Sequence, residues 1–228
     1  MKTIGIIGGM SAASTRIYYQ MLCDMTRDRL GGLHSPDLLI RSLDFAPIAA
    51  AQAAGDWPAL GAHLNAEALR LQAAGAGLLL LATNTMHKLA PQMMVGVTIP
   101  LLHIADATAA AIRAAGFARP GLMATAFTME QDFYTARLRA AGLDPLIPGA
   151  DDRAETHRVI YDELCRDVIR PESRAAYVAI AARLRDHGAD CLILGCTEVG
   201  MLLGADNSPL PVFDTVALHC AAALEAAL

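Results

Sequence analysis

Short apolar runs alternate along this chain with longer stretches in which apolar residues recur every three or four positions. Residues 2–7, 37–43, 77–82, 121–124 and 191–194 read as strands, with shorter candidates at 97–102 and from 212. The periodic stretches predict helices over about 13–30, 58–74, up to 115, 130–141, 156–168 and 171–187, and a last helix that closes the chain. Proline stands at the first position of two of them, Pro58 and Pro171, where its missing N–H costs nothing. Gln52 falls in a loop before the Gly55-Asp56-Trp57-Pro58 turn, residues 149–155 form a polar lead-in, and 207–211 read as a linker. The run 191–194 is apolar at every position, as a strand covered on both faces must be, and leaves through Gly195. Strands alternating with helices from end to end predict an α/β fold with parallel sheets.

The pattern also repeats. At a shift of 113 positions Pro58 meets Pro171, Ala62 meets Ala175, Arg70 meets Arg183, and Gly75-Ala76 meets Gly188-Ala189. Leu79 and Leu81 then meet Leu192 and Leu194, and Thr83 meets Cys196. The expectation is two similar α/β domains related by pseudo-two-fold symmetry, with the active site in the cleft between them and Thr83 facing Cys196.

Ligands of open α/β sheets bind off the carboxyl ends of strands, so the residues just past each strand are the candidates for chemistry. Cys196 sits at such an end. A helix starting after it would aim N–H groups and a positive dipole at the thiol and lower its pKa from about 8.5. The competing reading is a buried structural cysteine. Gly8-Gly9-Met10-Ser11 after the first strand is a tight turn that lets a ligand approach the backbone, although it is not the G-x-G-x-x-G of dinucleotide sites. Met10, Ser11, Asn84, Thr85, Thr125, Thr128 and Thr197 all fall at strand ends. Hydroxyls, amides and N-terminal N–H groups host a carboxylate or a developing enediolate, though each Thr or Asn alone is equally at home as a helix cap. His87, four residues after Thr83, is either a second proton donor or a packing residue.

Composition narrows the partners. The chain has 228 residues, 54% of them hydrophobic, and a formal net charge of −5. No basic cluster interleaved with aromatics is present to grip nucleic acid, and no apolar stretch has the length of a membrane span or signal-peptide core. Five cysteines without a C-x-x-C predict free thiols in a reducing, cytoplasmic compartment, and the singly scattered histidines predict no metal site.

On Gly8-Gly9-Met10, Thr83-Asn84-Thr85-Met86-His87, Thr125-Ala126-Phe127-Thr128 with Phe133-Tyr134, and Gly195-Cys196-Thr197-Glu198, the chain resembles the cofactor-independent aspartate/glutamate racemase family over essentially its whole length. Glu198 is similar to the aspartate racemase branch, since glutamate racemases usually carry His there. The resemblance implies two like α/β domains, a small-molecule amino-acid substrate, frequent homodimers, and no pyridoxal phosphate, metal or nucleotide. It also returns the last helix to the first domain, giving 1–98 plus 209–228 and 99–208. By resemblance Cys196 is the thiolate acid/base, and Thr83 stands where the family normally has a first cysteine. Gln52 and Arg166 are candidates for the distal carboxylate, alongside the strand-end residues, Thr197 and Glu198. The implied activity is aspartate and/or glutamate racemisation, faster in one direction. A single-thiol decarboxylase or isomerase of small dicarboxylates, and a carboxylate-binding protein without catalysis, are the alternatives.

Overall fold

Four consecutive leucines at 78–81 leave no polar face in a strand, so helices must cover both sides of the sheet that holds them. That is the architecture found. The protein, described over all residues 1–228 by a computed structural model, divides into two compact units, Met1–His103 with His219–Leu228, and Ile104–Leu218.

The first unit runs β1 (Ile4–Gly8), α1 (Ala12–Leu30), β2 (Leu38–Ser42), α2 (Phe45–Ala54), α3 (Trp57–Ala73), β3 (Leu78–Leu81), a 3-10 turn at Thr85–Leu89, α4 (Ala90–Met93) and β4 (Leu101–Leu102). Its four strands are parallel in the order β2-β1-β3-β4, with Ile7 registered on Leu81. Ile7, Leu79 and Leu81 point into a core with Leu60, Leu64, Ala68 and Leu71 of α3. The alternate residues Ile6, Leu78 and Leu80 are just as inaccessible on the other face.

The second unit continues with α5 (Ile104–Ala114), β5 (Pro120–Met123), α6 (Ala126–Glu130), α7 (Asp132–Ala140), α8 (Ala150–Asp162), a 3-10 turn at Leu164–Arg166, α9 (Pro171–Asp186), β6 (Cys191–Leu194), a 3-10 turn at Val199–Met201, and β7 (Val212–Asp214). Its strands are parallel in the order β5-β6-β7, and Leu146 makes a parallel bridge to Gly121 on the outer side of β5. Leu192 and Leu194 pack with Tyr177, Ile180 and Leu184 of α9, while Ile193 and Leu122 pack with Ile112 of α5 and Leu138 of α7. Helix α10 (Thr215–Ala227) begins in the second unit and continues in the first from His219. Counting the Leu146 bridge in the place of β2, the two units share one strand order, and α3 and α9 occupy matching places before β3 and β6. No helix is long and apolar enough to cross a membrane.

Several expected boundaries move. Gln52 lies within a helix rather than a loop, because Asp44 caps α2 by accepting from the Ala46 N–H and the left-handed Gly55 ends it. The polar residues 150–155 are the first turns of α8, which ends at Asp162 instead of running to 168. Asp151 and Asp152 in the first turn complement the helix dipole, and Asp167 in the left-handed region prevents a restart. The helix expected at 130–141 breaks at Gln131, whose backbone is extended. Only Leu101–Leu102 of the 97–102 candidate pairs in the sheet, since Pro100 has no N–H to donate and contributes its carbonyl to Leu79.

Candidate active site

The strand ends of each unit gather the residues singled out by the pattern, and each unit is described by itself. In the first, Gly9 takes a φ of +89°, and a Cβ there would lie 2.1 Å from the Leu43 carbonyl oxygen. Only glycine lets β1 exit beside β2 in this way. Ser11 then caps α1, accepting from Ser14 N–H at 3.2 Å, and the Thr15 hydroxyl accepts from Gly9 N–H at 2.7 Å. Met10 and Met86 share one apolar cluster, and the Gln52 amide donates to the Met86 sulfur at 3.0 Å from a buried position. On the neighbouring strand end Thr83 is half-buried, while Asn84 and Thr85 are buried. The turn after Thr83 is closed by His87, whose Nδ1–H donates to the Thr83 carbonyl oxygen at 2.7 Å.

In the second unit Met123 registers on Leu194, so Thr125 and Cys196 leave adjacent strands side by side. Thr125 caps α6 and its hydroxyl lies 3.2 Å from that of Thr128. Ser11 and Thr125 are thus both helix caps. The half-buried Cys196 thiol donates to Glu198 Oε2 at 2.8 Å, and the Thr197 hydroxyl donates to the same oxygen. Cys165, on the 3-10 turn after α8, approaches Glu198 Oε1 at 4.0 Å. One buried carboxylate thus lies between two thiols.

That arrangement corrects the electrostatic expectation for Cys196. The turn that follows it is the three-residue Val199–Met201, which offers no helix whose dipole could favour a thiolate. Burial first, and then the Glu198 carboxylate, push the thiol well above its ordinary range. Cys165 is pushed up to about 12 by burial and then by Glu198, with Arg166 opposing. Tyr161 and Tyr177 are raised by burial and secondarily by Cys196. The resting site therefore holds a protonated thiol against a carboxylate.

In the sequence Glu198 stood out as a marker of the aspartate racemase branch and a candidate for substrate binding. Its use as a hydrogen-bond acceptor for the thiol depends on the turn geometry. Cys165, Tyr161 and Tyr177 carried no signal, because α8 and α9 bring them to β6 only in the folded unit. Arg166 is exposed on its turn. No group of three or more His, Cys, Asp or Glu side chains is placed to hold a metal ion.

The sequence pattern of the Asp/Glu/hydantoin racemases matches residues 7–223. A protein from Yersinia pestis, provisionally named an Asp/Glu racemase, has a crystal structure that superposes with a TM-score of 0.92 at 43% identity, covering 100% of this chain and 99% of that one. An aspartate racemase homologue from Pyrococcus horikoshii superposes at 0.86 with 31% identity over 100% and 99%. The aspartate racemase of Picrophilus torridus, at 22% identity, covers 100% and 94% with a TM-score of 0.79 and shares the fold. A family pattern matched from residue 7 to residue 223, almost the whole chain, places this protein in the Asp/Glu/hydantoin racemase family.

Proposed function

We propose that the protein is an amino-acid racemase independent of pyridoxal phosphate, acting on aspartate and/or glutamate, in which Cys196 exchanges the α-proton on one face of the substrate and Thr83 serves the other. The observation that carries this reading is the Cys196 thiol at the carboxyl end of β6, hydrogen-bonded at 2.8 Å to the buried Glu198 carboxylate. Family membership and the relatives named for aspartate racemase support the reaction class.

The protonated resting thiol makes the two directions unequal. As an acid, Cys196 is ready: its S–H bond breaks as a Cα–H bond forms on a planar intermediate. As a base it must first lose its proton, and the Glu198 oxygen that already accepts it is the group to take it. The S–H bond breaks, an O–H bond forms, and the thiolate then removes the α-proton. On the other face a threonine hydroxyl is too weak an acid to ionise unaided. Met10, Ser11, Gln52, Asn84, Thr85, Thr125, Thr128 and Thr197 are proposed to shape the carboxylate-binding surroundings through hydroxyls, amides and backbone N–H groups. A homodimer in the cytoplasm is the setting we propose for it.

Cys196→Ala tests the reading. Proton NMR in D2O against a panel of L- and D-amino acids should show Cα deuteration with the wild type and its loss in the variant. Normal exchange in the variant would sink the proposal. The same protonated thiol favours one second reading, a single-thiol decarboxylase or isomerase of small dicarboxylates, because a neutral thiol is the state that protonates a planar intermediate from one side. Carbon dioxide release from a disubstituted malonate without racemisation would select it. Thermal stabilisation by an amino acid without any exchange would instead select a binding protein.

A further inference from the structure

Each sheet of the protein has two edges, and all but one of these edges are blunted. β4 is two residues long and follows Pro100, β7 is three residues long and follows Pro209 and Pro211, and the bridge at Leu146 lies between Pro145 and Pro148. Short length and proline are the usual guards of a strand edge. β2 has neither. It is five residues long, free of proline, and pairs with β1 on one side only.

Its parallel register turns the backbone groups of Asp37, Leu39, Arg41 and Leu43 towards β1, as in the bonds from Ile4 N–H to the Asp37 carbonyl at 2.9 Å and from Leu43 N–H to the Gly8 carbonyl at 3.0 Å. The N–H and carbonyl groups of Leu38, Ile40 and Ser42 therefore point outward, and no backbone bond closes them. Ile40 is 37% exposed there, although β1 and β3 are buried at every position.

The strand segment Asp37-Leu38-Leu39-Ile40-Arg41 is self-complementary. In an antiparallel pairing centred on Leu39, Leu39 meets itself, Leu38 meets Ile40, and Asp37 meets Arg41, so apolar residues face apolar ones and each acid faces a base. That centring also sets the outward groups of Leu38 opposite those of Ile40, where both N–H···O bonds of the pair close. The two charges have atoms to spare. Arg41 gives Nε and Nη2 to the buried Glu67 carboxylate at 2.7 and 3.3 Å and keeps Nη1, while Asp37 accepts from the Thr3 hydroxyl on Oδ2 at 2.7 Å and keeps Oδ1. Antiparallel pairing further lays the amino end of one β2 along the carboxyl end of the other. Leu33 stands before the first of these ends at 102% exposure, and the second holds a cavity of about 400 Å³ lined by the apolar side chains of Leu43, Pro47, Ile48 and Leu60.

Resting on the homodimer proposed above, we infer that β2 pairs edge to edge with β2 of a second copy, joining the two first-unit sheets across a two-fold axis at Leu39, with Leu33 of each copy set against the other's cavity. An isologous contact of this kind is closed and leaves neither β2 edge open to further strands.

Sedimentation velocity of the wild type at micromolar concentrations should show a dimer. Asp37→Arg sets like charges opposite each other twice, and Ile40→Lys places an ammonium against Leu38; each should raise the dimer dissociation constant by on the order of 10²-fold while the circular dichroism spectrum stays that of the wild type. Leu39→Cys places a thiol on the axis, and oxidation with copper phenanthroline should give a covalent dimer that a reducing agent releases, whereas Leu38→Cys and the wild type should give none. A wild type that is monomeric throughout removes the dimer and its interface together. No crosslink in Leu39→Cys, or an unchanged dimer in both charge variants, overturns the pairing and leaves the dimer itself standing. Where the charge variants do not fold, the crosslink alone decides.

Discussion

His219 allows a stability prediction worked directly from the structure. The ring is fully buried, with Tyr18 and Leu102 using both nitrogens, and its pKa falls from 6.5 to about 4. Above pH 6.5 the ring is neutral in both the folded and the unfolded chain and adds no pH dependence. Below it, the unfolded chain binds a proton that the folded one does not, so folding stability drops as pH falls. The loss amounts to about 2 kcal/mol at pH 5 and about 3 kcal/mol at pH 4, where it levels off as the folded ring begins to titrate. Urea unfolding at pH 7.5, 6, 5 and 4, followed by circular dichroism, measures it. In His219→Gln the amide can still donate to the Leu102 carbonyl, the titrating group is gone, and the pH dependence should flatten by that amount relative to wild type. The variant starts from a lower stability at pH 7.5 because the Tyr18 hydroxyl loses an imidazole partner, by about 1–2 kcal/mol. If wild type and His219→Gln lose stability in parallel between pH 7.5 and 5, the buried neutral ring is not what the acid titrates.

Other consequences concern the site itself. Glu198→Gln removes the anion that holds the Cys196 proton, so the pH profile of Cys196 alkylation by iodoacetamide should move to lower pH, even as α-proton abstraction slows by on the order of 10²-fold. An unmoved profile would leave burial as the sole cause of the raised thiol. Thr83→Cys supplies an ionisable group at the matching strand end and should narrow the difference between initial rates from the two enantiomers, as read by polarimetry. Unchanged asymmetry would remove Thr83 from the second face. Gly9→Ala places a Cβ 2.1 Å from a backbone oxygen at a φ of +89°, and should cost at least about 2 kcal/mol in chemical denaturation. Gly142→Ala, at a φ of +85° in open space, should cost about 1 kcal/mol, and equal losses in the two would argue against the close approach of β1 to β2.

Where structure follows from the local hydrophobic period, the chain could be read directly. The leucines at 78–81 and the apolar run 191–194 specify strands covered on both faces, and a proline in the first turn of each preceding helix marks its start. The 113-position repeat carried further than local periods do, because matching element orders give matching sheets, and the two strand orders agree once Leu146 is counted. Residues 150–155 misled because charge reads as loop until it is seen to complement a helix dipole, and Gln52 because two caps outweigh a nearby turn.

Cys196 divides the two kinds of information most clearly. Its place at a strand end and its match to Thr83 in the 113-position repeat could be read from the order of residues alone. Its protonation state was decided by tertiary structure. A helix dipole argued from sequence would have lowered the thiol's pKa, whereas Cys165, Tyr161 and Tyr177 crowd the sulfur from other elements and the turn sets the Glu198 carboxylate against it. A histidine cluster is a similar case, with His87, His103 and His219 scattered through the sequence and gathered only by packing. Strand ends follow from periodicity, which is local; solvation and charge around a titrating atom depend on everything within a few ångströms, which only the folded chain assembles.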